Sequence, residues 1–281
     1  MKTLTLRLRS AGMFSNVNEV VQQLHLAEQR GYRFAIDWSD SCYRDPQRAG
    51  DPWNYYFEDC FPGADAEGGD CPQLPGGIAV ACMRDNIITP RERDGDCVPL
   101  LLPRDRHLPH GIIQRYIHLK PHVQEIVDRF VAQHFRGPTI GLHIRGPGRI
   151  DGGAPGLRSR FECTFGVPFG RYFETLERQL ARRPEARVFA SSDSAFVMRE
   201  IVRRYGERVT SYPAIRSEFG EMHDAAHPAN RGTRFPPYRL GEDVLVEACI
   251  FARTDYFIHG NSNVVNYVLC LNPALEHGSA Y

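Results

Sequence analysis

The chain has 281 residues, 42% hydrophobic and 24% charged, and its 34 basic and 34 acidic side chains cancel. That length holds one large or two medium domains with ample core, the composition argues against disorder, and the balanced charge removes any global pull towards nucleic acid or an anionic membrane. Eight scattered cysteines with no Cys-x-x-Cys pair, no signal-peptide pattern and no 18-residue apolar run predict a cytoplasmic protein with reduced thiols, no zinc site and no transmembrane segment.

Leu4, Leu6 and Leu8 alternate with polar residues, which is the period of a strand. After the loop "SAGMFSN" (10–16), Asn16 is placed to cap a helix from about Val17 to Arg30, with Gly31 as its stop. Val17, Val20, Val21, Leu24 and Ala27 recur there at helical spacing. The strand "YRFAIDW" follows, and strand, helix and strand together predict an α/β unit with a parallel sheet. Residues 39–109 are rich in proline, and "GADAEGGDCPQLPGG" within them reads as a surface loop. A helical pattern from Gly111 to Phe135 is broken at Pro121, giving two helices or one kinked helix. "RGP" at 136–138 then marks a boundary between an N-terminal half, 1–135, and a C-terminal half, 136–281.

Beyond it the pattern is regular. A strand at 139–145 and a long Gly/Pro loop precede a helix at 169–183, a strand at 187–191 and a helix at 195–205 that stops at Gly206. A strand at 208–212 and a loop to Leu240 lead to a helix at 242–253, a strand at 256–259, the turn "GNSN" and a helix at 264–271. Such alternation predicts a doubly wound sheet, which binds ligands at the carboxyl ends of its strands.

Those strand ends carry the chemistry. In "TIGLHIRGPGRID" (139–151) alternation puts His143 and Arg145 on one face, beside a Gly-Pro-Gly backbone where an arginine can grip phosphate with a forked pair of hydrogen bonds. Taken alone, Arg145 pairing with a structural carboxylate and a core His143 are the more economical reading. "HGNSNV" (259–264) offers Ser262 or Asn263 as a helix cap facing any anion placed there. "SSDS" (191–194) offers Asp193 or Ser194. With "SAGMFSN" these make four polar strand ends, better read together as a cleft. Glu242 and Asp243 form an acidic helix start that needs no function. Glu247, among Leu245, Val246, Ala248, Cys249 and Ile250, lies on an exposed stripe or has a specific partner, of which guanine is one. Asp94 and Asp96 follow "RER" instead of an apolar strand, and Pro121 separates His118 from His122, so no metal site is expected.

The segments "IGLHIRGPGRID", "VFASSDSAFVMREIVRRYG" and "GEDVLVEACIFARTDYFIHGNSNVVNYVLCLNP" resemble, in order and spacing, the three motifs of the α1,6-/protein-O-fucosyltransferase superfamily, above all its bacterial nodulation-type members. The resemblance implies a GT-B-like α/β enzyme of two Rossmann-type halves, with the nucleotide-sugar donor in the C-terminal half and the acceptor on the N-terminal side. It implies an inverting transferase with no metal and no cofactor, a GDP-linked sugar being a substrate. By the same resemblance Arg145 contacts the β-phosphate, His143 lies near guanine, Glu247 reads guanine, and Ser262 and Asn263 contact phosphate. Asp193 stands for the second-motif aspartate, and Gly12, Phe14 and Asn16 belong to the N-terminal glycine loop.

One departure stands out. The family pattern His-x-Arg-Arg-x-Asp has adjacent arginines, and here Gly146 follows Arg145. Either "GPG" is an insertion, with Arg149 and Asp151 taking the roles of the second arginine and the aspartate, or the second arginine is absent. The expected activity is transfer of a sugar, first of all L-fucose from GDP-fucose, to an unidentified acceptor hydroxyl. The alternatives are the same fold using another nucleotide sugar on a small natural product, and a non-catalytic nucleotide-sugar-binding relic. Asp37, Asp40 and Glu58 are candidates for a general base.

Overall fold

Strands β1 (Lys2–Arg7) and β2 (Tyr32–Asp37) pair in parallel, from Lys2↔Tyr32 to Arg7↔Asp37. They belong to a computed structural model that describes residues 2–63, 69–71, 87–88, 100–145, 163–164, 167–217 and 235–280. The chain at 69–71 runs along the other edge of β1: Thr5 N–H donates to Gly69 O at 3.0 Å and Cys71 N–H to Thr5 O at 2.8 Å. Helix α1 (Met13–Arg30) joins the two strands and ends, as its sequence predicts, at Gly31, whose φ of 67° is readily adopted by glycine.

The start of α1 differs from the sequence reading, beginning four residues before Val17 with Gly12 in the capping position. Asn16 is no cap. Its amide turns back to donate to Arg9 O and Ala11 O, each at 3.0 Å, and accepts from Arg9 N–H at 3.1 Å, so it ties down the β1–α1 loop from inside the helix.

Two short strands, β3 (Ile87–Ile88) and β4 (Leu100–Leu101), pair antiparallel before helices α2 (His107–Tyr116) and α3 (Pro121–His134). Pro121 opens α3, where its missing N–H forfeits no bond, so the helical stretch is two helices.

The C-terminal half follows in order. It comprises β5 (Thr139–His143), a short antiparallel pair β6 (Cys163–Thr164) and β7 (Val167–Pro168), α4 (Phe169–Arg182), β8 (Arg187–Ser191), α5 (Ala195–Tyr205) and β9 (Val209–Thr210). It continues with α6 (Pro237–Phe251), β10 (Tyr256–His259), α7 (Asn263–Leu271) and β11 (Glu276–Ser279). The sheet has five strands in the order β11-β10-β5-β8-β9, all parallel. Helix α6 starts at Pro237, five residues before the sequence-based start, because this proline suits the first helical position. Glu242 and Asp243 therefore lie beyond the first turn, where the helix dipole no longer explains them.

Side-chain alternation splits the sheet's two faces. Ile140, Leu142, Val188, Ala190 and Ile258 pack with α4 and α5 in one cluster. Phe189 and Phe257 join a second cluster with α3, α6 and α7, and this cluster continues without a break into β1, α1 and α2. Burial of each such large side chain contributes roughly 1.5–3 kcal/mol. The two sheets thus lie on either side of 136–138 and share one core. The packing across it is tight at Gly241, where an added Cβ would sit 2.5 Å from Tyr56 Oη. That hydroxyl donates to Tyr238 O at 2.7 Å.

Candidate functional site

Strands β5, β8 and β10 end level, His143 lying in register with Ser191 on one side and His259 on the other. The chain winds outward from β5 through β8 to β9, then crosses to the opposite side of β5 as β10. A crevice at the carboxyl ends beside β5 follows from that reversal. The N-terminus of α1 faces it, and between them lies a cavity of about 350 Å³. That volume falls within the range of ligand pockets, roughly 300–1,000 Å³.

Seven residues singled out in the sequence line this cavity: Gly12, Phe14, His143, Arg145, Asp193, Glu247 and Asn263. Ser262 and Asn16 do not. Ser262 is buried and caps α7, its Oγ accepting from Val265 N–H at 3.2 Å, while Asn16 holds the loop behind the cavity wall. Asp193 is not the cap of α5; Ser194 is, and the Asp193 carbonyl accepts from Ser217 N–H at 2.7 Å. Arg149, Gly146 and Asp151 lie outside the described residues, as do Asp94 and Asp96. The candidate bases lie away from the cavity. Asp37 accepts from Ser39 N–H at 3.1 Å and Ser39 Oγ at 2.6 Å, Asp40 is exposed, and Glu58 pairs with Lys120 at 2.8 Å.

His143 is buried, its ring edge-on to Phe251 at 5.7 Å between centroids. Burial first, then the nearby Arg145 and Arg216 charges, push its pKa down to about 3, so the imidazole is neutral at physiological pH. In that state the ring can hydrogen-bond but carries no positive charge. Tyr43, also on the cavity wall, accepts from Met13 N–H at 2.8 Å and so fixes the start of α1. Burial raises the pKa of its phenol, with Arg145 acting in the opposite direction.

Glu247 has the specific partner its apolar surroundings demand. Arg216 pairs with both carboxylate oxygens, and Ser191 Oγ donates to Oε2 at 2.6 Å. Arg216 also donates to Ser192 O at 2.5 Å, Tyr212 O at 3.1 Å and Ser191 Oγ at 3.4 Å, so five contacts pin its guanidinium. One helical turn earlier, Asp243 Oδ2 accepts from Ile215 N–H at 2.8 Å. Burial lifts its pKa to about 6, against the Ile215 bond and Arg239 and with Glu247 and Glu242 adding to the rise.

Tyr43, Arg216 and Asp243 are cavity residues that the sequence reading missed. The only hint of Arg216 was the unmet need of Glu247, 31 residues away. At the rim, Asn18 Nδ2 donates to Asn263 O at 3.2 Å and Oδ1 at 3.4 Å, joining α1 to α7. A second cavity, about 570 Å³, opens near the carboxyl end of α6, lined in part by Gln114, His118 and Arg253 and by none of the predicted residues. Among the described residues no three His, Cys, Asp or Glu side chains converge to hold a metal ion, and no helix is long and apolar enough to cross a membrane.

No protein-family model and no curated sequence matches the chain. Solved structures do. The NodZ α-1,6-fucosyltransferase soaked with GDP-fucose aligns with a TM-score of 0.56 at 17% identity, over 96% of this chain and 92% of that one. POFUT1 in complex with GDP-fucose aligns with a TM-score of 0.53 at 10% identity, over 99% and 97%. Arabidopsis thaliana FUT1 with GDP aligns with a TM-score of 0.52 at 10% identity, over 100% and 70%. At these identities the likeness is one of fold, and the chain has the α/β fold with parallel sheets of the GT-B fucosyltransferases.

Proposed function

We propose that this protein is a metal-independent, inverting glycosyltransferase that moves a sugar, first of all L-fucose from GDP-fucose, to an acceptor hydroxyl. The observation that carries the reading is the placement of Arg145 and neutral His143 at the end of the central strand, across a cavity from the start of α1. In this reading residues 136–281 hold the donor and 1–135 present the acceptor. The diphosphate lies against Arg145, which stabilises the charge that develops as the glycosidic bond breaks. The first turn of α7, entered at Ser262 and Asn263, adds peptide dipoles of the right sign. His143 donates or accepts one hydrogen bond to the nucleotide, and the base lies towards Glu247.

Arg145→Ala tests this. GDP release from GDP-fucose across an acceptor panel is expected to fall by about 10²–10³-fold, the usual effect of removing a charge-stabilising donor. The melting temperature should hold, because Arg145 stands at the cavity and outside either core cluster. Near-normal turnover by that variant sinks the mechanism. The glycine that follows Arg145 favours a second reading, a binding protein that has lost turnover. Tight GDP-fucose binding by the wild-type chain without GDP release on any acceptor selects it.

A further inference from the structure

Asp243 and Glu247 stand one turn apart on α6 and line the same cavity, but their circumstances differ. The oxygens of Glu247 are engaged by Arg216 and Ser191. Asp243 receives a single hydrogen bond, at Oδ2. Arg239 Nε lies 3.0 Å from Oδ1 but out of line for a hydrogen bond, so this buried oxygen has no donor among the described residues. A buried carboxylate oxygen left this way is costly, and in a native protein it calls for an explanation. A cavity wall is where a ligand can supply the donor. The wall beside Asp243 is apolar, made of Ala214, Ile215, Leu240 and Val244, which suits a flat ring better than a phosphate.

We propose that Asp243 determines base specificity in this cavity by accepting a hydrogen bond from an N–H on the edge of the bound nucleotide's base; this rests on the nucleotide-sugar reading above. Guanine presents adjacent N–H donors on one edge. The single edge donor of uracil is flanked by two carbonyl oxygens, which a carboxylate repels. The chain therefore discriminates for guanine at Asp243, with Glu247 committed to Arg216.

Proton linkage supplies a signature that mere packing does not. Asp243 faces Glu242 and Glu247, which favour its protonated form, and Arg239, which opposes it. Tyr212 lies beside Arg239, Arg216 is tied to Glu247, and His122 of α3 meets Glu242 at 3.6 Å. Free Asp243 titrates at about 6. A donor from the base stabilises the ionised carboxylate more than the protonated acid, so affinity is full above that value and falls as pH drops through it.

Calorimetry with GDP and UDP from pH 5 to 8 tests the proposal, because their affinity ratio cancels the ionisation of the shared diphosphate. The wild-type ratio should rise several-fold with pH. In Asp243→Asn it should be about tenfold lower at pH 8, the scale of one charge-assisted hydrogen bond, and flat with pH. A pH-independent ratio in the wild type overturns the proposal without any variant, as does an Asp243→Asn protein that keeps the wild-type slope. Arg145→Ala separates the two readings. If it binds both nucleotides unweakened, the phosphate assignment fails while the Asp243 result stands. If the wild-type chain binds neither nucleotide, both fail.

Discussion

Arg216 and Glu247 form a buried ion pair across 31 residues of sequence, side chains 13% and 8% exposed, joining the segment after β9 to the middle of α6. Desolvating two charges is repaid only with further hydrogen bonds, and here Ser191, Ser192 and Tyr212 supply them.

Removing one partner leaves the other charge buried alone. Arg216→Met is therefore expected to cost about 3–5 kcal/mol in chemical denaturation, and Glu247→Gln a similar amount. The double variant should lose well under the sum of the two. Additive losses in that cycle mean that the pair is not coupled.

Gly241→Ala drives a methyl to 2.5 Å from Tyr56 Oη and 2.9 Å from Met13 Cε. Overpacking of this kind costs about 1–3 kcal/mol, read as a lower melting temperature. Tyr56→Phe in the same chain removes the nearest atom and should recover part of the loss. An unchanged melting temperature for Gly241→Ala contradicts the packing described at this crossing.

Two buried histidines, His143 and His259, and the half-buried His277 make the fold sensitive to acid. Burial depresses the pKa values of His143, His259 and His277 below the unfolded value of about 6.5. The stability they contribute is fully present above that pH and declines as pH falls, by up to about 1.4 kcal/mol per histidine per pH unit. Asp243 works in the opposite sense, because its folded value is raised. Burial raises Asp51 as well, so three histidines stand against two carboxylates; the melting temperature should fall between pH 7.5 and 5, and His259→Gln should shallow that fall. His259 Nδ1–H donates to Gly260 O at 2.7 Å, which leaves Nε2 to accept from His277 Nδ1–H at 3.0 Å. An acid-insensitive melting curve rules this account out.

Local pattern made much of the fold legible. The predicted bounds of β8, α5 and β10 coincide with those observed, because each has a strong period and a clear stop. What failed was local punctuation whose meaning depends on distant partners. Asn16 looks like a cap but serves the loop behind it, and Pro237 looks like loop but opens a helix. Strand β11, "EHGS", has no apolar alternation, and only its pairing with β10 makes it a strand. The site divides the same way. His143 and Arg145 stand out by alternation along one strand, whereas Arg216 and Asp243 gain meaning only when a loop and a helix far apart in sequence meet.

The unbroken core between the two sheets has a mechanical consequence. Phe14 of α1 lies 4.6 Å from Tyr267 of α7 between ring centroids, Asn18 is bonded to Asn263, and Tyr56 is pressed against Gly241. Swinging the walls of the cleft apart as rigid bodies means tearing these contacts, all on the cavity's own supports. A ligand entering the cavity meets walls that these contacts already hold together, so less of the gain from binding is spent on ordering them.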